Sequence, residues 1–258
     1  MSEHATAAST RPRISVVIIT KNEARNIVAC LQSVSWADEI IVLDSNSSDA
    51  TVQLAEGLGA RVVQTEWLGY GQTKQRAVEM AAGPWILSLD ADERVTPELA
   101  SEVAQAAQGN DVNAYAIPRL TWFVDRWIRH SGWYPGYVVR LFRRDSGHFS
   151  AARVHESVVV EGAVKRLREP LLHYSFNSLD EYHARQRAYV PLAAEEMHAA
   201  GKSAGVWRLF VHPAANFLKC YLFRLGFLDG LAGWRIAIHS SAYVFRKYAT
   251  LRAFQRSS

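Results

Sequence analysis

Trp85–Val95 reads WILSLDADERV, and the fold turns on this stretch. A short apolar run, Trp85 to Leu89, ends abruptly in Asp90, Ala91, Asp92 and Glu93. Such a run is a buried strand that delivers acidic side chains to its carboxyl end. In open α/β sheets, ligands bind in the crevice outside those ends. Asp90 and Asp92 are two apart, so on a continuing strand they share a face. Their carboxylates then converge on one hard cation, Mg2+ or Mn2+. Such cations take oxygen ligands and are often completed by substrate phosphates. The alternative is a polar strand-to-helix loop with an acidic cap.

The residues upstream favour the crevice. Ile14–Ile19 (ISVVII) is a β-branched run suited to a parallel sheet covered on both faces, and it ends in Thr20, Lys21, Asn22 and Glu23. Residues 24–34 follow with Ile27, Cys30, Leu31 and Val34 at helical spacing. Glu39–Leu43 is a second strand, ending in Asp44; after the polar loop 45–49 a helix covers 50–58, with Gly59 as its stop. Arg61–Gln64 is a third strand, residues 69–71 a flexible loop, and residues 73–82 a helix stopped by Gly83-Pro84. This β-α-β-α-β-α-β alternation predicts an α/β, mostly parallel sheet. No GxGxxG follows the first strand and no GxxxxGK[ST] occurs, which removes support from dinucleotide and P-loop readings.

At 258 residues the chain can bury a large core. Cys30 and Cys220 lack metal-ligand spacing and suit a reducing compartment as buried thiols. Residues 1–13 are small and polar, and are expected to be a disordered lead-in rather than a signal peptide. Charge is uneven. From Gly201 onward nine Lys and Arg face one acid, Asp229, a formal +8 that leaves the first 200 residues at −4. A basic, aromatic tail on an acidic body suggests an anionic surface as partner.

Three motifs in order now carry a resemblance: VVIITKNEARNI, EIIVLDSNSSDAT and GYGQTKQRAVEMAAGPWILSLDADERV. Together they resemble family 2 glycosyltransferases of the GT-A fold, and within them the lipopolysaccharide core-biosynthesis glucosyltransferases. The resemblance is strongest over 14–95, continues through the His-Glu pair near 155 and is looser in the tail. It implies a nucleotide-diphosphate sugar lying across the strand ends. It makes Asp44 the base-contacting acid, Asp92 the better metal ligand, and Asp90 its neighbour toward ribose or metal. Thr20 and Glu23 fall in the loop after the first strand. Lys74 and Arg76 lie where the family places basic side chains near the donor, and spacing leaves open which points inward. Asp49 is read as a helix N-cap. Glu23 is equally a first-turn acid favoured by the helix dipole.

In the middle segment, strands are expected at 115–118 and 136–142. Aromatics there (Trp122, Phe123, Trp127, Trp133, Tyr134, Tyr137) interleave with Arg119, Arg126, Arg129, His130 and Arg140. Aromatic faces suit sugars and Arg forks suit phosphates. Trp133, Tyr134 and Arg140 are the acceptor-binding candidates, although any single Trp also suits a core. Inverting transfer needs a base for the acceptor hydroxyl. The resemblance points to Glu156 for it, with His155 as metal ligand, pyrophosphate donor or orienting partner. His173 is a further metal or phosphate candidate.

From Ser178 to Gly201 a helix is expected, with Leu179, Tyr182, Gln186, Tyr189 and Ala193 on one face. Beyond it no run of about 18 uncharged apolar residues exists, so no spanning helix is expected. Aromatics with Lys and Arg fit helices lying in a membrane interface, packing on the body, or forming an oligomer contact. No nucleic-acid motif accompanies the basic tail.

The expected organisation is a GT-A catalytic domain over 14–176, with a nucleotide-sugar half (14–112) and an acceptor half (113–176), and a helical C-terminal extension over 177–258. The expected activity is metal-dependent, inverting transfer of a hexose from UDP-glucose or a similar donor. Its acceptor would be an inner-core heptose or similar lipid-linked saccharide on the cytoplasmic face of the inner membrane. The rivals are transfer to a polyprenyl phosphate or capsule intermediate, nucleotidyl transfer, and a non-catalytic nucleotide-sugar or membrane-surface binding protein.

Overall fold

The computed structural model describes residues 12–150 and 157–257, and the chain forms two compact units. The first comprises residues up to Arg119 together with Tyr137–His173; the second comprises Leu120–Gly136 and Tyr174 onward.

The first unit is a three-layer α/β body. Its strands β1 (Ile14–Thr20), β2 (Glu39–Asp44), β3 (Arg61–Gln64) and β4 (Trp85–Asp90) are parallel neighbours in the order β3-β2-β1-β4. β1 is buried along its whole length, as its unbroken apolar run requires of a sheet covered on both faces. Its residues alternate between two cores, with the two-residue period of a strand. Ile14, Val16 and Ile18 pack with Ile27, Cys30 and Leu31 of α1 (Ala24–Ser33) and with Leu99 and Val103 of α4 (Pro97–Ala106). Val17 and Ile19 pack with Ala77 and Val78 of α3 (Tyr70–Glu79). Between β2 and β3 lies α2 (Thr51–Gly57).

Several boundaries differ from expectation. α3 starts at Tyr70, within the supposed flexible loop, because Gly69 at φ +92° makes the turn into the helix; it ends at Glu79, ahead of Gly83-Pro84. β4 stops at Asp90, and after Ala91-Asp92 the chain turns back as β5 (Glu93–Val95). α4 follows, capped by Thr96, whose side chain accepts from the Leu99 N–H, with proline at its first turn.

The sheet continues with β8 (Gly136–Arg143), antiparallel to β4, then β6 (Ala114–Phe123), β12 (Leu171–Phe176) and β5. β11 (Val164–Arg166) runs parallel beside the start of β6. β9 (Gly147–Phe149) and β10 (Val158–Val160) form a separate antiparallel pair.

In the second unit β7 (Arg126–Ile128) pairs with the end of β6, and Phe123, Ile128, Tyr182 and Ile236 form a core. Its helices are α5 (Leu179–Ala199), α6 (Val206–Leu218) and α7 (Gly230–Ser257). A π-helical turn over Lys219–Phe223 and a 3-10 turn over Gly226–Asp229 join α6 to α7. α5 falls within the expected 178–201 and is capped by Ser178, but its buried residues are Tyr182, Val190 and Ala194 rather than Tyr189 and Ala193. No described helix is long and apolar enough to cross a membrane.

Candidate active site

Thr20, Asp44 and Asp90 close the carboxyl ends of β1, β2 and β4 side by side, because the register sets Thr20 against Asp44 and Ile19 against Asp90. Asp44 is fully buried. Its carboxylate accepts from the Thr20 hydroxyl at 2.9 Å and from the Ser47 N–H at 2.8 Å, with the Ser47 hydroxyl at 2.5 Å. A buried carboxylate held by three donors is fixed in direction. Beside it the Ser45 hydroxyl is buried with no hydrogen-bond partner among the described residues.

Glu23 faces its own helix. Its N–H donates to Thr51 at 2.8 Å and its carboxylate accepts from the Asn26 side chain at 2.8 Å. The N-cap of α2 is Ala50 rather than Asp49; Asp49, one residue ahead of it, accepts from the Ala24 N–H at 3.1 Å and from the Thr51 N–H at 3.0 Å.

Asp90 is enclosed by cations. Lys74 Nζ lies 2.8 Å from one carboxylate oxygen, and the Arg140 guanidinium binds the other. The same guanidinium nitrogen reaches Glu93 at 2.7 Å, and Glu93 in turn accepts from the Asp90 N–H at 3.0 Å. Arg140 arrives there because β8 is antiparallel to β4. The pair Leu87 and Leu141 leaves Arg140 one step toward the acidic end. Burial pushes the Asp90 carboxyl up, but Arg140 and then Lys74 outweigh it and hold it below the usual carboxylate range. Burial likewise opposes the charge on Arg140, and Asp90 and Glu93 raise its pKa in net. Lys74 is therefore the inward-pointing basic residue of α3. Arg76 is exposed and donates to Thr65 at 2.8 Å.

The two aspartates do not share a face. The strand ends at Asp90, and the turn sends Asp92 to His173, whose Nε2 is 3.3 Å from its carboxylate. Register explains the meeting, since β12 sets His173 opposite Glu93. The Asp92 side chain is 18% exposed, and His173 Nδ1 is buried with no hydrogen-bond partner among the described residues. A hard cation here would find one carboxylate and one imidazole, with its other positions left to substrate oxygens. Among the described residues no three His, Cys, Asp or Glu side chains form a complete metal cluster. This donor set fits a cation that shares its shell with a pyrophosphate.

His155 and Glu156 lie outside the described residues. Their flanks are placed: Ser150 and Ser157 close the β9–β10 pair, and the Phe149 N–H donates to Gln75 of α3 at 2.9 Å. The Phe149 ring lies 5.7 Å from Lys74 Nζ.

Of the acceptor candidates, Arg140 belongs to the carboxylate network. Trp133, in the second unit, packs edge-on against Phe123 at 5.6 Å and beside Phe176, which makes it a core residue. Tyr134 is half-buried and precedes a cis proline.

The sequence profile of glycosyl transferase family 2 matches residues 15–165, which include all of these strand ends. The chain belongs to glycosyl transferase family 2. An uncharacterised glycosyltransferase of Rickettsia bellii is 32% identical over 95% of this chain and 87% of its own length. The lipopolysaccharide core biosynthesis glycosyltransferase LpsC of Rhizobium meliloti is 28% identical over 92% and 93%. Mannosyltransferase PcManGT of Pyrobaculum calidifontis, solved with GDP-Man and Mn2+, is similar in structure. It gives a TM-score of 0.57 at 15% identity, over 94% of this chain and 88% of that one. That likeness shows the fold, a GT-A-like α/β body followed by helices.

In this family 2 glycosyltransferase the feature that sequence reasoning missed is Glu93. It is fully buried and binds Arg140, with Arg119 at 3.9 Å. The run of three acids within four residues was visible, but a partner 47 positions away was not.

Proposed function

We propose that this glycosyltransferase transfers a hexose, with inversion, from UDP-glucose or a similar nucleotide sugar. The acceptor is an inner-core heptose of lipopolysaccharide or a related lipid-linked saccharide on the cytoplasmic face of the inner membrane, which the protein meets as a peripheral partner. The observation that carries the reading is the Asp92–His173 pair beside the Asp90 network at the strand ends, where the side chains of Asp92 and Asp90 keep 18% and 30% of their surface exposed. The name of LpsC supports the acceptor class, and the GDP-Man and Mn2+ of PcManGT support the donor class and the metal.

Asp92 and His173 hold the cation in this reading. A bound Mg2+ or Mn2+ would neutralise the pyrophosphate as the sugar leaves. Asp44, fully buried and held by Thr20, fixes through Ser47 the loop after β2 against which the nucleobase would lie. Asp90 is ionised and 30% exposed at its side chain, and it accepts from a ribose hydroxyl. Lys74 and Arg140 hold it there. Glu156 takes the acceptor hydroxyl proton as that oxygen attacks the anomeric carbon, the glycosidic bond forms and the nucleoside diphosphate departs. His155 orients that base.

The test is release of nucleoside diphosphate from a panel of nucleotide sugars, with chelator and with Asp92→Ala. Release from one donor, lost in both controls, is expected. Folded protein that binds no nucleotide sugar in the presence of metal would overturn the reading.

A further inference from the structure

The second unit carries large apolar side chains that stand exposed among the described residues. α6 buries no residue at all, although most of its side chains are apolar. At about 100° per residue its surface divides into three sectors. One packs on α7: Asn216 donates to Ser240 at 3.0 Å, His212 stacks on Tyr248, and Phe217 meets Trp234 edge-on at 5.3 Å. The second holds Trp207, Phe210, Val211 and Leu218, of which Trp207 is 77% and Phe210 64% exposed. The third, beside it, holds Arg208 and Lys219, both exposed. The exposed series continues through the two turns that follow, with Phe223 80% and Leu228 57% exposed.

Those turns are held firmly. Asp229, the one acid of the tail, is buried and spent internally. Its carboxylate accepts the N–H groups of Arg129 at 3.2 Å and His130 at 3.0 Å, and His130 Nδ1 lies 3.0 Å away. The 3-10 turn is thereby fastened to residues 129–131, and the exposed cations Arg126, Arg129 and Arg224 stand around it. An apolar face of this size on a soluble surface calls for a partner.

We propose that α6 and the following turns, through Leu228, form a docking face that inserts Trp207, Phe210, Phe223 and Leu228 into the interface of an anionic bilayer, with Arg208, Lys219 and Arg224 against lipid phosphates. The proposal rests on the peripheral-membrane reading above and names the element that performs it. Charge decides between a bilayer and a second copy of the chain. A two-fold pairing of this face would set its cations against themselves, with no exposed acid from Gly201 onward to offset them, whereas an anionic surface neutralises them.

The probe is co-sedimentation of the full chain with phosphatidylcholine vesicles, with and without phosphatidylglycerol, alongside light scattering. Wild type is expected to bind the anionic vesicles at least tenfold more tightly than the neutral ones, and less tightly in high salt. Trp207→Ser/Phe210→Ser/Phe223→Ser is expected to lose binding at least tenfold with an unchanged circular dichroism spectrum and unchanged nucleotide-sugar hydrolysis. Brominated lipid should quench wild-type fluorescence more than that of Trp207→Phe. Equal sedimentation of wild type and triple variant would overturn the proposal. So would a dimer that the triple variant abolishes without any vesicle binding. Loss of hydrolysis of every donor with vesicle binding intact would refute the transferase chemistry and leave the docking face standing.

Discussion

Replacing Arg140 with methionine keeps most of the side-chain volume and removes the cation that bridges Asp90 and Glu93. Glu93, fully buried, is then left with Arg119 at 3.9 Å and the Asp90 N–H at 3.0 Å. Asp90 keeps Lys74 at 2.8 Å. Removing one partner of a buried ion pair costs about 3–5 kcal/mol. Both acids retain a partner and Asp90 is partly solvated, which puts Arg140→Met at the lower end, about 3 kcal/mol. For a chain of this size that corresponds to a fall in Tm of roughly 6–12 °C. Urea denaturation of wild type, Arg140→Met, Glu93→Gln and the double variant measures both the cost and the coupling. The double variant should be less destabilised than the sum of the single ones by about 1.5 kcal/mol or more. An Arg140→Met loss below about 1 kcal/mol, or additive single variants, would refute the claim that this network clamps the strand ends.

Three further outcomes follow from the same structure. Asp229→Ala strips the acceptor from the Arg129 and His130 N–H groups and should cost about 2–3 kcal/mol in thermal or urea unfolding, whereas substitution of exposed Asp145 should cost almost nothing. Gly233→Ala should destabilise strongly, because its Cβ would stand 1.8 Å from the Gly226 carbonyl oxygen; calorimetry checks it. The Asp90 carboxyl is depressed in the folded state, so its ion-pair stability is present above the unfolded value of about 3.9 and is lost as pH falls through the folded value. The stability gap between wild type and Asp90→Asn should therefore be constant near neutrality and close below about pH 4.

β1, β2 and β4 were legible because they are covered on both faces, so burial wrote a continuous apolar run into the sequence, whereas β3, a half-exposed edge strand, shows only the pair Val62-Val63. Ile14–Thr20 and Arg61–Gln64 differ from their expected bounds by at most one residue. β5, β7, β9, β10 and β11 have three residues each, too few for any period to show. α4 was not among the expected elements, although Thr96-Pro97-Glu98 places a cap, a proline and an acid at its start. Asp44, Asp90 and Asp92 stand at strand ends, as an abrupt switch from apolar to acidic residues implies. Their partners were not legible: His173 reaches Asp92 and Arg140 reaches Asp90 only through strand register, which spacing along the chain does not encode. Along α5 the buried positions beyond Tyr182 are Val190 and Ala194, one residue on from the expected Tyr189 and Ala193.

The central claim is that Asp92, with His173, holds the cation that binds the donor pyrophosphate, while Asp90 is held by Lys74 and Arg140. Isothermal titration of UDP into wild type and Asp92→Asn, each in Mn2+ and in chelator, tests it most directly. The account predicts at least tenfold weaker binding on chelation, the same loss in Asp92→Asn with Mn2+, and no further loss when the two are combined. Binding of UDP that is indifferent to chelator, or an Asp92→Asn variant that binds UDP and Mn2+ as wild type does, would contradict it.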